Sequence, residues 1–185
     1  MPRVPFATRH DVIASEKAAY DAFLQQRGGH MNTGPYALLL HMPELALRME
    51  AMRLYIRADL SLAPKLKEVA MITVAREMDC PYIWYAHAAA ARDAGVPGAL
   101  VDAIRERREP MGLDGDERTV LEFTRELIRR RKVSAATFER AAASFGRRGT
   151  LTLTCLVSCY EMLAQIMNAC ELEAPEHPTE PPLPL

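Results

Sequence analysis

The spacing of apolar residues along this chain is helical almost throughout. Apolar side chains recur every three or four positions, as at Leu45, Met49, Met52 and Ile56. No run of alternating β-branched residues marks a strand. The pattern therefore predicts an all-α fold, and 185 residues are enough for a single domain with a sizeable core.

Glycine and proline residues divide this pattern into a series of predicted helices. Ser61 is expected to cap the helix that starts at Pro64, and Cys80 is expected at the N-cap of the next, because Pro81 suits the first helical position. The helices are predicted at residues 11–26, 36–40, 43–57, 64–77, 81–94, 98–108, 116–131 and 134–145, with a last one from 149.

Three regions follow from these elements. An N-terminal helix and loop occupy residues 1–33, a helical domain occupies 34–172, and a tail occupies 173–185. Five of the tail residues are prolines, which lack the N–H donor of regular structure, so we expect the tail to be extended or disordered.

Charge and cysteine content exclude several classes of protein. The 23 basic and 24 acidic residues leave a net charge of -1, which predicts neither a nucleic-acid nor a membrane partner. The four cysteines are too few for a secreted disulfide scaffold, and the N-terminus has no apolar run typical of a signal peptide. We therefore expect a cytoplasmic protein. The most apolar window, residues 151–170, contains Glu161, Gln165 and Asn168 and is predicted to be a buried helix.

One helix carries a thiol and an imidazole on the same face. Cys80, Trp84 and His87 share a stripe, although two turns, about 10 Å, separate Cys80 from His87. Glu68 on the preceding helix is placed to fold back on this stripe and orient the imidazole. The unpaired amides of the helix N-terminus are expected to lower the pKa of the Cys80 thiol. The alternative is that Cys80 is a boundary residue and His87 a hydrogen-bonded core histidine.

A second polar stripe lies on the last helix. Its members fall at steps of four, three, four and three, so they occupy one face. They are Thr154, Ser158, Glu161, Gln165 and Asn168. A buried Glu161 needs partners, and the stripe is therefore expected either to line a pocket opposite His87 or to form a polar seam or a solvent-facing edge. A zinc site from Cys155, Cys159, Cys170 and His87 matches no familiar spacing, so no metal is predicted.

Residues 65–104 carry a recognisable motif, KLKEVAMITVAREMDCPYIWYAHAAAARDAGVPGALVDAI. This stretch resembles the core of the carboxymuconolactone decarboxylase family, which includes the alkyl hydroperoxidase D-like proteins, and residues 34–46, GPYALLLHMPELA, resemble the lead-in of its longer decarboxylase-like members. The resemblance implies an alkyl hydroperoxidase D-like helical fold that assembles into a homo-oligomer, a trimer or a hexamer, with no cofactor.

The resemblance also implies roles for individual residues. The peroxidase-like branch has a glutamate, a Cys-x-x-Cys pair and a histidine four residues on, which Glu68, Cys80 and His87 match. Ile83 stands where the second cysteine belongs. Dithiol chemistry needs that partner, so Cys80 would have to be resolved from outside. Many decarboxylase-like members carry a glutamate before the tryptophan, and Ile83 departs from that pattern too.

Three functions are compatible with these residues. The first is a decarboxylase-like enzyme acting on a small cyclic or aromatic-derived carboxylate or lactone, with His87 moving the proton and Glu68 orienting it. The second is thiol-dependent hydroperoxide reduction of the peroxiredoxin type by Cys80. The third is a catalytically silent oligomeric binding module.

The first function also predicts what holds the substrate. Trp84 would supply an apolar wall, and Glu161, Gln165 and Asn168 would bind its polar groups. Arg76 and Arg53 are the candidates for holding a carboxylate.

Overall fold

The computed structural model describes residues 2–29, 34–111, 113, 115–174 and 179–184. Within these residues the chain forms a 3₁₀ turn at Ala14–Glu16, eight α-helices and no strand. The helices are α1 (Lys17–Gln26), α2 (Pro35–Leu39), α3 (Pro43–Ala58), α4 (Pro64–Glu77), α5 (Pro81–Asp93), α6 (Gly98–Arg105), α7 (Gly115–Arg130) and α8 (Ala135–Ala169). The predicted all-α fold is confirmed.

Helix α4 is the centre of the bundle. All its residues from Leu66 to Arg76 are buried, and it packs against α5, α6, α7 and α8. The first three helices lie outside this core, where α3 contacts α1, α2 and α8. A helix enclosed on every side is normally apolar, so the charged residues of α4 must be paired within the bundle.

Lys67 shows how such pairing fixes the fold. Its Nζ donates to the carbonyl of Arg57 at 2.7 Å and also to the carbonyl of Asp59. These carbonyls belong to the C-terminal end of α3, where a positive charge is favourable. Lys67 therefore holds the end of α3 against α4.

Helix α8 is bent at Gly146. This residue has φ of 66° and ψ of 177°, a conformation that an L side chain rarely adopts, and it separates two helical segments. They correspond to the two helices predicted at 134–145 and from 149. In the described residues α8 is also the one helix long and apolar enough to cross a membrane, but 56% of its most apolar window is buried, as in a core helix.

Two local predictions were wrong. Ser61 does not cap α4, because its amide and hydroxyl both bond the Asp59 carboxylate and Ala63 stands at the N-cap. The predicted apolar stripe of α3 is also rotated, since Leu45 and Met52 are 41% and 42% exposed.

The C-terminal tail is docked rather than free where it is described. Trp84 Nε1 donates to the carbonyl of Pro181 at 2.8 Å, and Leu183 is buried. Arg92 holds the Glu180 carboxylate at 3.1 Å. Thus 179–184 forms neither helix nor strand and is held by contacts with α5. Residues 175–178 of the tail, and 30–33 at the first predicted domain boundary, lie outside the described residues.

Because Trp84 is the only tryptophan, its fluorescence should report tail docking. Removing residues 179–185 should shift its emission to longer wavelength and lower the free energy of unfolding by about 2 kcal/mol, since a buried leucine and an indole hydrogen bond are lost. Fluorescence and urea titration measure both effects. Glu180→Gln, which keeps the Pro181 contact, should shift the emission less, and an unchanged spectrum after truncation would contradict this docking.

Candidate active site

Glu68 and His87 meet inside the bundle. His87 on α5 is 8% exposed, and its Nδ1 lies 2.9 Å from Oε2 of Glu68 on α4. An ionised carboxylate only accepts hydrogen bonds, so Nδ1 carries the proton of the neutral ring and Nε2 keeps its lone pair. Glu68 therefore sets both the orientation and the tautomer of His87.

Arg57 and Tyr160 complete a closed ring of contacts with this pair. Arg57 Nη2 donates to Oε1 of Glu68 at 3.3 Å, and its Nη1 donates to the Tyr160 hydroxyl at 3.3 Å. The ring of Tyr160 meets that of His87 edge to face, with centroids 5.2 Å apart. Burial raises the pKa of Tyr160 although Arg57 and Arg53 act to lower it, so the phenol stays protonated.

A second charged cluster surrounds Glu50 on α3. Its carboxylate accepts from Arg53 at 2.7 and 2.9 Å and from Arg27, at the end of α1, at 2.5 Å. Burial acts to raise the pKa of the Glu50 carboxyl, but the hydrogen bonds and charge of Arg53, helped by Tyr36 and Arg27, outweigh it and lower that pKa to about 2. Glu50 is therefore ionised at neutral pH.

A cavity of about 300 Å³ joins the two clusters. Its polar wall consists of Arg27, Tyr36, Arg53, Tyr82, His87 and Tyr160. Its apolar wall consists of Ile83, Ala86, Leu163 and Met167, with Gly34 and Pro35 at the start of α2. The cavity thus has the size and the mixed lining of a small-molecule site, and the paired imidazole is part of its wall.

The sequence motif matches one known family. Residues 43–126 match the model of the carboxymuconolactone decarboxylase family. Over this segment the chain is similar to the carboxymuconolactone decarboxylase and AhpD-like superfamily. The matched segment runs from α3 into α7 and includes Glu50, Arg53, Glu68 and His87. No curated protein matches the chain.

Solved structures share the fold. An alkylhydroperoxidase AhpD core protein from Ralstonia eutropha JMP134, described as peroxidase-related, has a TM-score of 0.72 and 14% identity, covering 95% of this chain and 93% of that one. A cysteine-to-alanine variant of the debrominase Bmp8 in complex with 2,3,4-tribromopyrrole has a TM-score of 0.71 and 16% identity, covering 95% and 92%. A putative antioxidant defence protein AhpD from Agrobacterium tumefaciens has a TM-score of 0.68 and 15% identity, covering 75% and 96%. At such low identities these likenesses show that the chain shares the helical fold, and they leave its chemistry open.

Cys80 is at the N-cap of α5, as predicted, but its environment differs from the expectation. The thiol is 1% exposed and does not line the cavity. Burial raises its pKa to about 11, against the lowering effect of the backbone amides of Ile83 and Tyr82. The predicted lowering of the pKa was therefore wrong, because desolvation exceeds the effect of the helix N-terminus.

The structure also places Trp84 and Arg76 away from the cavity. Trp84 is fully buried and bonds the tail at Pro181, so it is not the apolar wall that was predicted. Arg76 donates to Asp79 at 2.7 Å and to the carbonyl of Pro184 at 3.0 Å. Of the two predicted carboxylate-binding arginines, only Arg53 lines the cavity.

The predicted polar stripe of α8 faces away from the cavity. Glu161 bonds Arg131 at 2.9 Å, Gln165 is exposed, and Asn168 is exposed and donates to the carbonyl of Met78 at 2.7 Å. The cavity is lined instead by the next face of the helix, which begins at Tyr160. The stripe is therefore a polar edge of this chain, the alternative that the sequence left open, and none of its three predicted binding residues reaches the cavity.

Sequence reasoning missed most of the polar wall. Glu50 and Arg57 share one face of α3 with the predicted Arg53, at steps of three and four, and this regular spacing was the available signal for them. Arg27, Tyr36 and Tyr160 come from three other elements and had no local signal. Among the described residues, no three histidine, cysteine or carboxylate side chains are grouped to hold a metal.

The lowered pKa of Glu50 predicts loss of stability in acid. The folded-state pKa of about 2 lies below the ordinary 4.5, so the stabilisation is complete above about pH 4.5 and is lost as the pH falls toward 2. The loss should be on the order of 3 kcal/mol. Urea titrations at several pH values should show a flatter profile for Glu50→Gln, whereas Glu44→Gln on the exposed side of α3 should keep the wild-type slope. Equal slopes in both variants would contradict the assignment.

Burial of Cys80 predicts low thiol reactivity. At pH 8 iodoacetamide should modify exposed Cys155 in the native protein, while Cys80 should react only after unfolding, since it is inaccessible and protonated. Peptide mass spectrometry of native and urea-unfolded samples gives the two rates. Native Cys80 reacting as fast as in the unfolded chain would show that the thiol is open to solvent.

Proposed function

We propose that this protein is an enzyme that uses His87 as a general acid and base on a small cyclic or aromatic-derived carboxylate or lactone. The observation that carries this proposal is the 2.9 Å contact between Nδ1 of His87 and the Glu68 carboxylate, with the same ring lining the cavity. An imidazole with one nitrogen held by a carboxylate has the other available for a substrate proton. The match of residues 43–126 to the carboxymuconolactone decarboxylase family supports an enzyme in general terms.

The proposed step is proton transfer at carbon. Nε2 of neutral His87 takes a proton from a carbon next to a carbonyl, and the C–H electron pair moves into the conjugated system as an enolate. The imidazolium then returns the proton to a carbon of that system. In a decarboxylation the C–C bond to the carboxylate breaks instead, and an imidazolium supplies the proton that replaces carbon dioxide.

Three neighbours support this chemistry. Glu68 stabilises the imidazolium by charge, and Arg57, which donates to its second oxygen, holds the carboxylate in place. Tyr160 lines the cavity, packs its ring on the imidazole and keeps its hydroxyl protonated, which suits a donor to a developing enolate oxygen. The apolar wall at Leu163 and Met167 keeps water from the reacting carbon.

Thiol-dependent peroxide reduction is the second candidate. The structural neighbour described as peroxidase-related favours it. Cys80 counts against it, since this thiol is buried, has a raised pKa and lies outside the cavity. A silent oligomeric binding module is the third candidate. The trimer or hexamer and the cytoplasmic location stay predictions.

Deuterium exchange tests the proposed function. Small cyclic and aromatic carboxylates and lactones are incubated with the enzyme in D₂O, and NMR follows incorporation of deuterium at carbon and any loss of carboxylate. His87→Gln should lower the rate by about 100-fold or more, because the transferred proton loses its carrier. Glu68→Gln should lower kcat with little change in KM and alter the pH profile, because it acts through the histidine.

Cys80→Ser separates the candidates. Exchange or turnover that survives in this variant and fails in His87→Gln supports acid and base catalysis. Hydroperoxide consumption with an external thiol that is lost in Cys80→Ser would overturn our proposal in favour of the peroxidase. The absence of turnover in the wild type, together with ligand-induced thermal stabilisation, would indicate the binding module.

A further inference from the structure

The charges at the cavity do not cancel. Arg27 and Arg53 contribute two positive charges and Glu50 one negative charge, so one positive charge remains beside the cavity. At the other end, Arg57 and Glu68 pair with opposite charges beside His87. The side chains of Arg27 and Arg53 are only 18% and 16% exposed, so water does little to screen the excess charge.

Two buried polar atoms beside the cavity have unused hydrogen-bonding capacity. The Tyr36 hydroxyl and Nε of Arg27 have no hydrogen-bond partner in the described part of the chain. Tyr36 is 5% exposed, and its hydroxyl is close enough to Glu50 for that carboxylate to contribute, after burial, to raising its pKa. No hydrogen bond of ordinary geometry joins the two groups. Buried donors are normally satisfied, so both groups indicate a ligand with acceptor oxygens.

Tyr160 links this cluster to the imidazole. Its ring packs on His87, and its hydroxyl is near enough to Arg53 and Arg57 for both guanidinium groups to act on its pKa. A ligand anchored at Arg53 therefore lies beside Tyr160 and extends toward His87. The apolar wall of Ile83, Leu163 and Met167 suits a ring between the two ends.

We propose that the cavity selects small ring-bearing monocarboxylates, with Arg53 and Arg27 binding the carboxylate and Glu50 excluding dianions. One carboxylate neutralises the excess charge. A second would lie along the apolar wall, where the described residues of the cavity lining offer no further arginine or lysine, and an uncompensated carboxylate is costly in a buried site. Glu50 is thus a specificity-determining residue, because it cancels one of the two positive charges that a dianion would need.

This inference rests on the proposed function and adds a consequence for it. A carboxylate held by two arginines is stabilised as the anion and is not the group that a decarboxylation releases. For a monocarboxylate, His87 would therefore move a proton on the ring while the carboxylate is retained.

Three probes of similar shape test the proposal by isothermal titration calorimetry at neutral pH. They are benzoate, the neutral benzamide and the dianionic terephthalate. Wild type should bind benzoate about tenfold or more tightly than either of the others. Benzamide lacks the negative charge that the cavity compensates, and terephthalate carries one negative charge too many. Arg53→Gln should weaken benzoate binding by about tenfold, and Arg48→Gln, which removes an exposed arginine from the same helix, should leave it unchanged.

The Glu50→Gln substitution should shift the selectivity toward the dianion. Removing its carboxylate frees a second positive charge, so terephthalate should gain affinity relative to benzoate, which a merely structural role of Glu50 would not produce. Arg27→Gln replaces Arg53→Gln if the latter fails to fold. The proposal is overturned if benzoate and benzamide bind equally, or if Arg53→Gln binds benzoate as tightly as wild type. It is also overturned if terephthalate binds wild type as tightly as benzoate, or if no probe binds. Binding is measured without turnover. The order of affinities therefore tests this inference even if His87 proves not to act in acid and base catalysis.

Discussion

A carboxylate enclosed by the helices sets the arrangement of the whole site. Glu68 is on α4, the helix with partners on every side, and an unpaired charge there would be prohibitive. Its two oxygens are matched by His87 from α5 and Arg57 from α3. Satisfying one buried charge therefore fixes the relative positions of three helices. The fold and the geometry of the candidate site have a common cause.

The arginine partner of Glu68 depends in turn on Lys67. By donating to the carbonyls that end α3, Lys67 holds Arg57 over the carboxylate, so neighbouring residues of α4 position both members of the ion pair. Such an arrangement is costly to break one partner at a time, because each removal leaves a buried charge behind. It explains why a bundle with an otherwise apolar centre tolerates a lysine and a glutamate next to each other.

The sequence was sufficient for the helices and for the Glu68–His87 pair. Proline and glycine positions gave α3, α4 and the start of α5 within a residue or two, because these residues act locally. The cavity wall depends instead on which elements meet. Arg27 and Tyr36 come from elements far from His87 in sequence, and no spacing rule connects them. The predicted pKa of the Cys80 thiol was wrong for a related reason. A position at a helix N-terminus can be read from local sequence, whereas burial depends on how the helices pack.

On helix α8 the choice between two adjacent faces decides which residues are assigned to the cavity. Consecutive residues of a helix point about 100° apart, so Tyr160 and Glu161 are on different faces although they are neighbours in sequence. The polar face meets solvent and Arg131, while the adjacent face presents Tyr160, Leu163 and Met167 to the cavity. Polarity selected the wrong face because a substrate site needs apolar walls with few polar groups. The polar groups of the proposed site are the Tyr160 phenol and two arginines, Arg27 and Arg53, which both bind Glu50. In our proposal their selectivity depends on the balance of charge rather than on polarity alone.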